Sequence, residues 1–530
     1  MKKITLILLC LVLCIFAFAG CSSNDSGDTD GLQNNEGTPD SSNNEEKSLV
    51  FGSVGYFYNE QWDPAVGWEG WAIGSYGVSE CLFKLNDEFV AEPLLVDEYT
   101  SDDYITWNLN IKDNIYYHNG VKVTAETIKK CFERTMGVNE RSLEVLPVKS
   151  ILADGQTLTI VLSEAKATFA NDLCDPIWTV YDSEGSDDFA AKTYFTGPYI
   201  PERFDPGVEL TVVKNENYWG ESPKLDKAVF ITITDVDTLT MAFQNGEIDI
   251  LVPVPETSIP ILKSNPGTVI DSTTSMRSQL IRFNFNSPLV QDAAVRNAIS
   301  YCIDREGYSK VICNEMTVPS YGIFPENLAY GGIKNIKPVV TGFNVEAAKK
   351  LLDAAGYKDA DGDGILEKDG IKLSMKMIGL SAQKDMAELS QILKDQLKEI
   401  GIDLTVEILE NISDARKNGE FDLTYESYTL GATGNPEAFI SSMFKSGGTN
   451  NFGKYANGEV DGLIEKLNKT IDKDERNKTI FDISQHIVDD CSFIFFAHKN
   501  FTGAYNSETV KSYHSQPSEY YILDTAVEAK

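Results

Sequence analysis

The sequence lacks the motifs that mark common catalytic and nucleotide-binding sites. It contains no Gly-x-Ser-x-Gly elbow, no His-Glu-x-x-His motif, no phosphate-binding loop and no Gly-x-Gly-x-x-Gly fingerprint. Histidine is also scarce, and the four histidines show no spacing typical of metal ligands; they are His118, His486, His498 and His514. We therefore expect neither an enzyme nor a resident cofactor or metal.

Positive charge is sparse relative to negative charge. The chain has 46 Lys and Arg against 80 Asp and Glu, a formal net charge of −34 at pH 7. Such a surface repels phosphate backbones, which excludes nucleic acid as an expected partner. Solubility outside the cytoplasm explains the acidity; a field that favours cationic ligands is the weaker interpretation.

Long hydrophobic runs are absent after the N-terminus, where a membrane-spanning helix would need ~20 apolar residues. Two lysines at the start precede an apolar run that ends at Phe18, and Ala19, Gly20 and Cys21 follow. This arrangement is typical of a bacterial lipoprotein signal peptide. We predict cleavage after Gly20 and a lipid on Cys21, which would anchor the protein on the outer face of the cell membrane. The alternative is an ordinary signal peptide with an incidental cysteine.

Large apolar residues are nearly absent from residues 22–47, where Leu32 stands alone. A segment of this composition cannot bury enough surface to fold. We predict that it is a flexible tether, roughly 30 Å in root-mean-square length. A tether of this length favours a Gram-positive surface; in a Gram-negative organism the protein would be periplasmic.

Two further patterns leave their chemistry open. The cysteines beyond residue 21 show no disulfide framework and fall in apolar segments, so we expect buried free thiols; they are Cys81, Cys131, Cys174, Cys302, Cys313 and Cys491. Asp359, Asp361 and Asp363 open like a calcium loop, but Gly370 stands where such a loop needs a bidentate Glu. An acidic turn is the preferred interpretation, and calcium binding stays open.

Hydrophobic periodicity predicts an α/β fold. Residues 105–111 alternate as a half-buried strand, Asn119-Gly120 marks a turn, and Thr124 is placed to cap a helix. Asn344 should cap a second helix, with Glu346 and Lys350 paired on its surface. Residues 373–377, 386–400 and 402–408 form a strand, a helix and a strand. This βαβ unit implies a parallel or mixed sheet.

Several ordered motifs are similar to those of extracellular solute-binding proteins of the peptide and nickel family, which serve ATP-binding-cassette (ABC) importers. Residues 107–125 resemble the family signature W-x-F-x-L-R…F-H-D-G-x-P-V-T-A. Further matches follow in order at Thr196-Gly-Pro-Tyr199, Asn217-Tyr-Trp-Gly220, residues 243–249 and residues 283–305. The resemblance extends over nearly the whole chain after residue 47.

The resemblance implies an α/β, two-lobed periplasmic-binding-protein type II fold with an extra subdomain on the first lobe. We expect a monomer. The predicted limits are 1–20 for the signal peptide, 21–47 for the lipidated cysteine and tether, 48–86 with 196–286 and 499–530 for lobe I, 87–195 for the extra subdomain, and 287–498 for lobe II.

The resemblance also implies a substrate-binding component that captures oligopeptides or dipeptides between its lobes and delivers them to a permease. A nickel- or metal-chelate-binding protein of the same family is the alternative, and a ligand-sensing receptor or an enzyme on the same fold is a further one. Ala432 stands where peptide-binding relatives carry an Asp, and residues 431–443 look more like the nickel branch. Arg141 matches an arginine that faces chelator carboxylates, whereas Asp175 stands where a second arginine would be.

Trp68, Glu69 and Trp71 are the leading candidates for ligand contact. Indole rings offer a large apolar area with one donor, and Glu69 suits a cationic ligand end. Two tryptophans three residues apart are equally compatible with a core. Alignment with the cleft rim adds four more candidates, namely Trp178, Tyr428, Thr429 and Asn435.

Overall fold

The computed structural model describes residues 46–55 and 60–530 of the 530-residue chain. The predicted signal peptide, Cys21 and nearly all of the predicted tether therefore lie outside the described residues. No helix within them is long and apolar enough to cross a membrane.

Strands and helices alternate along the chain. The strands are β1 (Ser48–Ser53), β2 (Phe83–Leu85), β3 (Ala91–Pro93), β4 (Val96–Thr100), β5 (Thr106–Ile111), β6 (Val148–Asp154), β7 (Thr157–Leu162), β8 (Tyr199–Asp205), β9 (Glu209–Lys214), β10 (Lys227–Thr232), β11 (Ile250–Leu251), β12 (Thr268–Phe283), β13 (Thr317–Pro319), β14 (Glu367–Lys368), β15 (Ile371–Lys372), β16 (Ser374–Leu380), β17 (Asp403–Leu409), β18 (Leu423–Thr429), β19 (Phe493–Asn506), β20 (Val510–Ser512) and β21 (Glu528–Ala529). The α-helices are α1 (Glu69–Ser75), α2 (Ala125–Val138), α3 (Arg141–Val145), α4 (Phe169–Asp172), α5 (Val236–Gln244), α6 (Ile259–Ser264), α7 (Ala293–Tyr301), α8 (Arg305–Gly307), α9 (Val345–Ala354), α10 (Lys384–Glu399), α11 (Ser413–Asn418), α12 (Glu437–Phe444), α13 (Gly458–Leu467) and α14 (Lys473–Asp489). Short 3₁₀ helices cover Pro176–Trp178, Glu256–Ser258 and Pro288–Val290, and a π-helix covers Tyr308–Ile312.

One large mixed sheet organises these elements, in the order β17-β16-β18-β12-β19-β11-β1-β10-β9-β8, with β13 added on β19. The long antiparallel strands β12 and β19 join its two ends. Their register shifts between Thr274 and Ser278, so residues 275–277 interrupt the ladder. We call residues 275–277 the register break, the strands from β11 to β8 the β8 end, and β16 to β18 the β17 end.

Each end of the sheet packs against its own elements. At the β17 end, α7, α9 and α10 bury apolar side chains such as Ile299, Leu352 and Leu393 in one core. A second, four-stranded sheet in the order β4-β5-β7-β6 packs against α2 and shares a core with the β8 end. The predicted domain limits stay a prediction.

The local predictions from sequence hold where caps and turns defined them. Thr124 caps α2 in a capping box with Thr127, and Gly120 adopts φ +82° in the predicted turn. Asn344 caps α9 through the backbone N–H of Ala347. The predicted ion pair between Glu346 and Lys350 on that helix was wrong, because Glu346 pairs with Lys349 instead, at 2.9 Å.

The predicted βαβ unit is confirmed. Strands β16 and β17 precede and follow α10 in the chain, and they pair in parallel.

In the acidic loop before β14, the ammonium of Lys372 contacts both Asp361 and Asp363, and the backbone N–H groups of Gly362 and Gly364 donate to Asp359. The six cysteines of the described residues are free thiols, and five of them are buried.

Glu80 is a buried carboxylate that holds the 217–220 segment against the chain after α1. It is 8% exposed and accepts hydrogen bonds from the Tyr218 hydroxyl at 2.6 Å and from Trp219 Nε1 at 3.1 Å. Burial raises the pKa of Glu80 to about 7, although these two donors lower it.

A raised pKa makes Glu80 favour the folded state only while it is protonated. The stabilisation is complete below pH 4.5 and is lost as the pH rises through about 7. We expect the free energy of unfolding of the wild type, relative to that of E80Q, to fall by at most about 3 kcal/mol between pH 4.5 and pH 8. Urea unfolding at both pH values measures this. E98Q, at an exposed site on β4, is the control, and parallel pH profiles for E80Q and the wild type would contradict the assignment.

Candidate functional site

A cavity of about 360 Å³ lies at the register break, between the two ends of the large sheet. Its walls are mainly apolar and aromatic. The lining residues are Trp68, Trp71, Phe89, Ser275, Met276, Arg277, Thr429, Ala432, Pro517, Ser518, Glu519 and Tyr520. A volume in this range, with aromatic walls and few polar groups, is typical of a small-molecule or short-peptide site.

The strands and α1 position the cavity walls. Arg277 is the last residue of the register break in β12 and is paired with Thr429 of β18, the strand of the β17 end that lies next to β12. Trp71, in α1, donates from Nε1 to the carbonyl oxygen of Glu519 at 3.1 Å. This bond ties the aromatic wall to the C-terminal segment.

The charged side chains among the lining residues are one arginine and one glutamate, which form an ion pair. Arg277 contacts Glu519 through two N–O distances of 3.3 Å, and the two side chains are 39% and 24% exposed. Charge-assisted hydrogen bonds are commonly shorter, at 2.7–2.9 Å. The pair is therefore loosely made, and it leaves the cavity lining without net charge.

A second ion pair supports the Trp68 wall from behind. Arg141 forms a two-point contact with the buried carboxylate of Asp175. The guanidinium carbon also lies 4.0 Å from the centre of a Trp68 ring. A cation stacked on an indole face favours one ring orientation. Trp68 is nevertheless 62% exposed, so its other face is available at the cavity.

The loop after β18, residues 430–437, covers one side of the cavity. Asn435 Nδ2 donates to Asp172 Oδ1 at 2.8 Å and to Thr168 Oγ1 at 3.0 Å. Asn171 Nδ2 donates to the carbonyl oxygens of Thr433 and Phe89, at 2.6 and 3.0 Å. We call these four hydrogen bonds the rim contacts. Three of them join the loop after β18 to α4 and its N-terminal Thr168, and the fourth joins α4 to Phe89 in the connection between β2 and β3.

Asp172 is the buried charge within the rim contacts. Burial raises the pKa of Asp172 to about 7, whereas the hydrogen bond from Asn435 and the nearby Lys166 lower it. The carboxylate also accepts a hydrogen bond from Thr168 Oγ1 at 2.9 Å. A carboxylate that loses water on burial depends on such donors, so the position of Asn435 matters for closure of the rim.

The sequence predicts seven ligand-contacting residues, and only some of them line the cavity. Trp68, Trp71 and Thr429 line the cavity together. Glu69 instead accepts hydrogen bonds from the backbone N–H of Glu60 at 3.3 and 3.2 Å. Burial raises the pKa of Glu69, and backbone donors lower it.

The other three candidates lie away from the lining. Trp178 is 0% exposed and packs edge-on against Phe132, with ring centres 4.9 Å apart. The hydroxyl of Tyr428 accepts a hydrogen bond from Asn450 at 2.6 Å. Asn435 takes part in the rim contacts. As ligand contacts, all seven stay predictions.

Sequence reasoning missed the charged pair of the cavity. Arg277 and Glu519 are separated by 242 residues, and neither belongs to a motif or a periodic pattern that singles it out. Potential metal ligands gather in two places among the described residues: one group is Glu256, Cys313 and Asp385, and the other is the acidic loop from Asp359 to Asp363. Neither group lines the cavity.

The sequence matches the model of a known family of binding proteins. The family model for bacterial extracellular solute-binding proteins, family 5 (Middle), matches residues 90–451. The chain belongs to this family. The predicted membership is thereby confirmed, and a family 5 protein is a substrate-binding component of an ABC importer and not an enzyme.

Known family 5 proteins with similar sequences differ in their ligands. The nickel-binding protein NikA of Staphylococcus aureus is 28% identical over 84% of this chain and 88% of its own length. The oligopeptide-binding protein AppA of Bacillus subtilis is 24% identical over 79% of this chain and 80% of its own length. The crystal structure of a nickel ABC transporter protein from Bacillus halodurans superposes with a TM-score of 0.82, at 25% identity, over 91% of this chain and 99% of that one. The predicted two-lobed type II fold is confirmed.

Reversing the polarity of one rim contact tests whether Asn435 and Asp172 keep the rim closed. In N435D the carboxylate still accepts the hydrogen bond from the Glu437 N–H, but it faces Asp172 without a donor. We expect backbone amides of residues 430–437 to exchange hydrogen at least about tenfold faster, because a hydrogen bond to a charged group is lost.

The double variant D172N/N435D restores a donor opposite an acceptor and should return exchange towards the wild-type rate. Hydrogen exchange with mass spectrometry measures both variants. N411A, at an exposed site, is the control. Equal exchange in N435D and the wild type would show that the rim is held closed by other contacts.

Proposed function

We propose that this protein captures short peptides in the cavity at the register break and delivers them to the permease of an ABC importer. We further propose that it acts as a monomer, held on the outer face of the cell membrane by a lipid on Cys21. The composition of the cavity lining is the observation that carries the peptide assignment.

The lining favours a ligand that is net neutral and partly apolar. Trp68, Trp71 and Phe89 offer apolar and aromatic surface, and the charged groups are one arginine and one glutamate. In a cavity of low dielectric constant, a ligand with unbalanced charge would leave one charge without a counter-charge, at a high energetic cost. A short peptide with free termini carries both charges and apolar side chains.

Nickel chelates are the second candidate, because the relative from Staphylococcus aureus is named for nickel. Two observations speak against a chelate of a polycarboxylate. No histidine lies among the described residues that line the cavity. Arg141, which the family resemblance assigns to chelator carboxylates, is paired with Asp175. Its charge is therefore already compensated inside the protein.

Native mass spectrometry of the chain purified gently from a peptide-containing medium tests this proposal. We expect a series of adducts with peptide masses that disappear on denaturation. W68A should reduce the adduct fraction about tenfold, because the indole would be covered by the bound ligand and tryptophan is enriched among the contacts whose truncation costs about 2 kcal/mol or more. V208A, which shortens an exposed side chain outside the cavity, serves as the control. A single nickel-bearing adduct, or binding only after nickel and a chelator are added, would favour the second candidate.

Substituting Cys21 tests the proposed lipid anchor. In C21S no thiol is present for lipidation, and apolar burial of acyl chains is what holds such a protein at the membrane. We expect the wild type to stay in the membrane fraction and to incorporate labelled fatty acid, whereas C21S should be released and unlabelled. C10S removes a cysteine from the predicted signal peptide and is the control. Membrane retention of C21S with its label intact would contradict the anchor.

A further inference from the structure

Lys499 lies where the two ends of the large sheet meet. Thr274 pairs with Asn500 and Ser278 pairs with His498, so Lys499 lies in β19 opposite the register break. Its carbonyl oxygen accepts a hydrogen bond from Ser275 Oγ at 2.8 Å. The backbone of Lys499 is therefore held to the register break by Ser275 and is paired on its other edge with Thr317 of β13.

The ammonium of Lys499 contacts one carboxylate from each end of the sheet. It lies 3.0 Å from Oε1 of Glu256, in the 3₁₀ helix that follows β11 at the β8 end. It lies 3.3 Å from Oδ2 of Asp385, at the start of α10 at the β17 end. The three side chains form a bridge across the register break, which we call the hinge bridge.

Both partners of Lys499 are held by other contacts, Asp385 through its carboxylate and Glu256 through its backbone. Asp385 accepts hydrogen bonds from the Tyr308 hydroxyl, at 2.9 Å, and from Gln279 Nε2. The carbonyl oxygen of Glu256 accepts a hydrogen bond from Asn314 Nδ2 at 3.2 Å. Because the Asp385 carboxylate and the Glu256 backbone are each held by other contacts, the ammonium can reach both carboxylates over a limited range of angles between the two ends.

The hinge bridge also explains why a potential metal-binding group lies behind the cavity. One ligand atom each from Glu256, Cys313 and Asp385 lie within 4.8 Å of one another. The ammonium between the two carboxylates supplies the positive charge there. Burial lowers the pKa of Lys499, but Asp385 and Glu256 raise it above its ordinary value, so the side chain stays charged.

We infer that Lys499 is a positioning residue for ligand capture: through Glu256 and Asp385 it holds the two ends of the sheet at the angle at which the rim contacts form. Partial burial strengthens such a pair relative to one in water. Without the ammonium, two carboxylates a few ångströms apart repel each other. The inference rests on the binding role of the family and not on which ligand is bound.

Distance measurement across the cavity tests this inference without any ligand. Spin labels on E164C and K469C, two exposed sites on opposite sides of the rim, report the separation by double electron–electron resonance in the full chain. In K499M we expect the ratio of short-distance to long-distance populations to fall roughly tenfold, the scale of one partly buried ion pair.

Three further variants identify the cause of any shift. K499M/E256Q removes one of the two repelling carboxylates and should recover much of the short-distance population. E256Q alone keeps the contact between Lys499 and Asp385 and should shift the ratio less than K499M. K511M removes an exposed lysine that pairs with Glu528 across the two-stranded β20–β21 sheet, and it should change nothing.

Unchanged distance distributions in both K499M and E256Q would overturn the inference. If K499M fails to fold, E256Q and the double variant still decide the question, because they leave fewer unpaired charges. Since the measurement uses no ligand, its failure is distinct from a failure of the peptide proposal. Peptide adducts with unchanged distances would reject the hinge bridge alone.

Discussion

The antiparallel pairing of β12 with β19 is the constraint on which the rest of the structure depends. These two strands connect the two ends of the large sheet, and the other strands of that sheet lie on one side or the other of the pair. An interruption in a ladder removes hydrogen bonds locally and lets the strands bend and twist. The register break thus separates two well-packed ends at a point where the backbone is least constrained. The cavity lies there because both ends contribute walls at that point.

The charges near the register break are paired within the protein, although the molecule as a whole is strongly acidic. Arg277 faces Glu519, Arg141 faces Asp175, and Lys499 faces Glu256 and Asp385. At physiological salt, the field of exposed charges more than about 8 Å from the cavity is largely screened there. The electrostatic environment of the cavity is therefore determined by the few charged groups around it, and the net charge of −34 acts on solubility.

Local patterns predicted many helices and strands, whereas only three of the seven candidate contacts line the cavity, and both results have one physical reason. Caps, turns and periodicity act over three to seven residues, so Thr124, Asn344 and the βαβ unit around α10 were readable from the sequence. The contacts that build the site join residues far apart in the chain. Asn435 and Asp172 are 263 residues apart. An aromatic residue such as Trp178 has the same appearance in the sequence whether it faces a core or a ligand.

Two glycines allow the loop after β18 to pack closely against Phe89 and to fold tightly on itself. Gly434 adopts φ +74°, and a Cβ added there would lie 2.3 Å from the carbonyl oxygen of Phe89. Gly431, at φ +147°, would meet the carbonyl oxygen of Asn435 at 2.4 Å. With the loop so close, Ala432 projects little volume and no charge into the cavity. An aspartate at that position would add a second carboxylate beside Glu519 and make the lining anionic. With alanine there, the charged side chains that line the described part of the cavity are Arg277 and Glu519, which pair with each other.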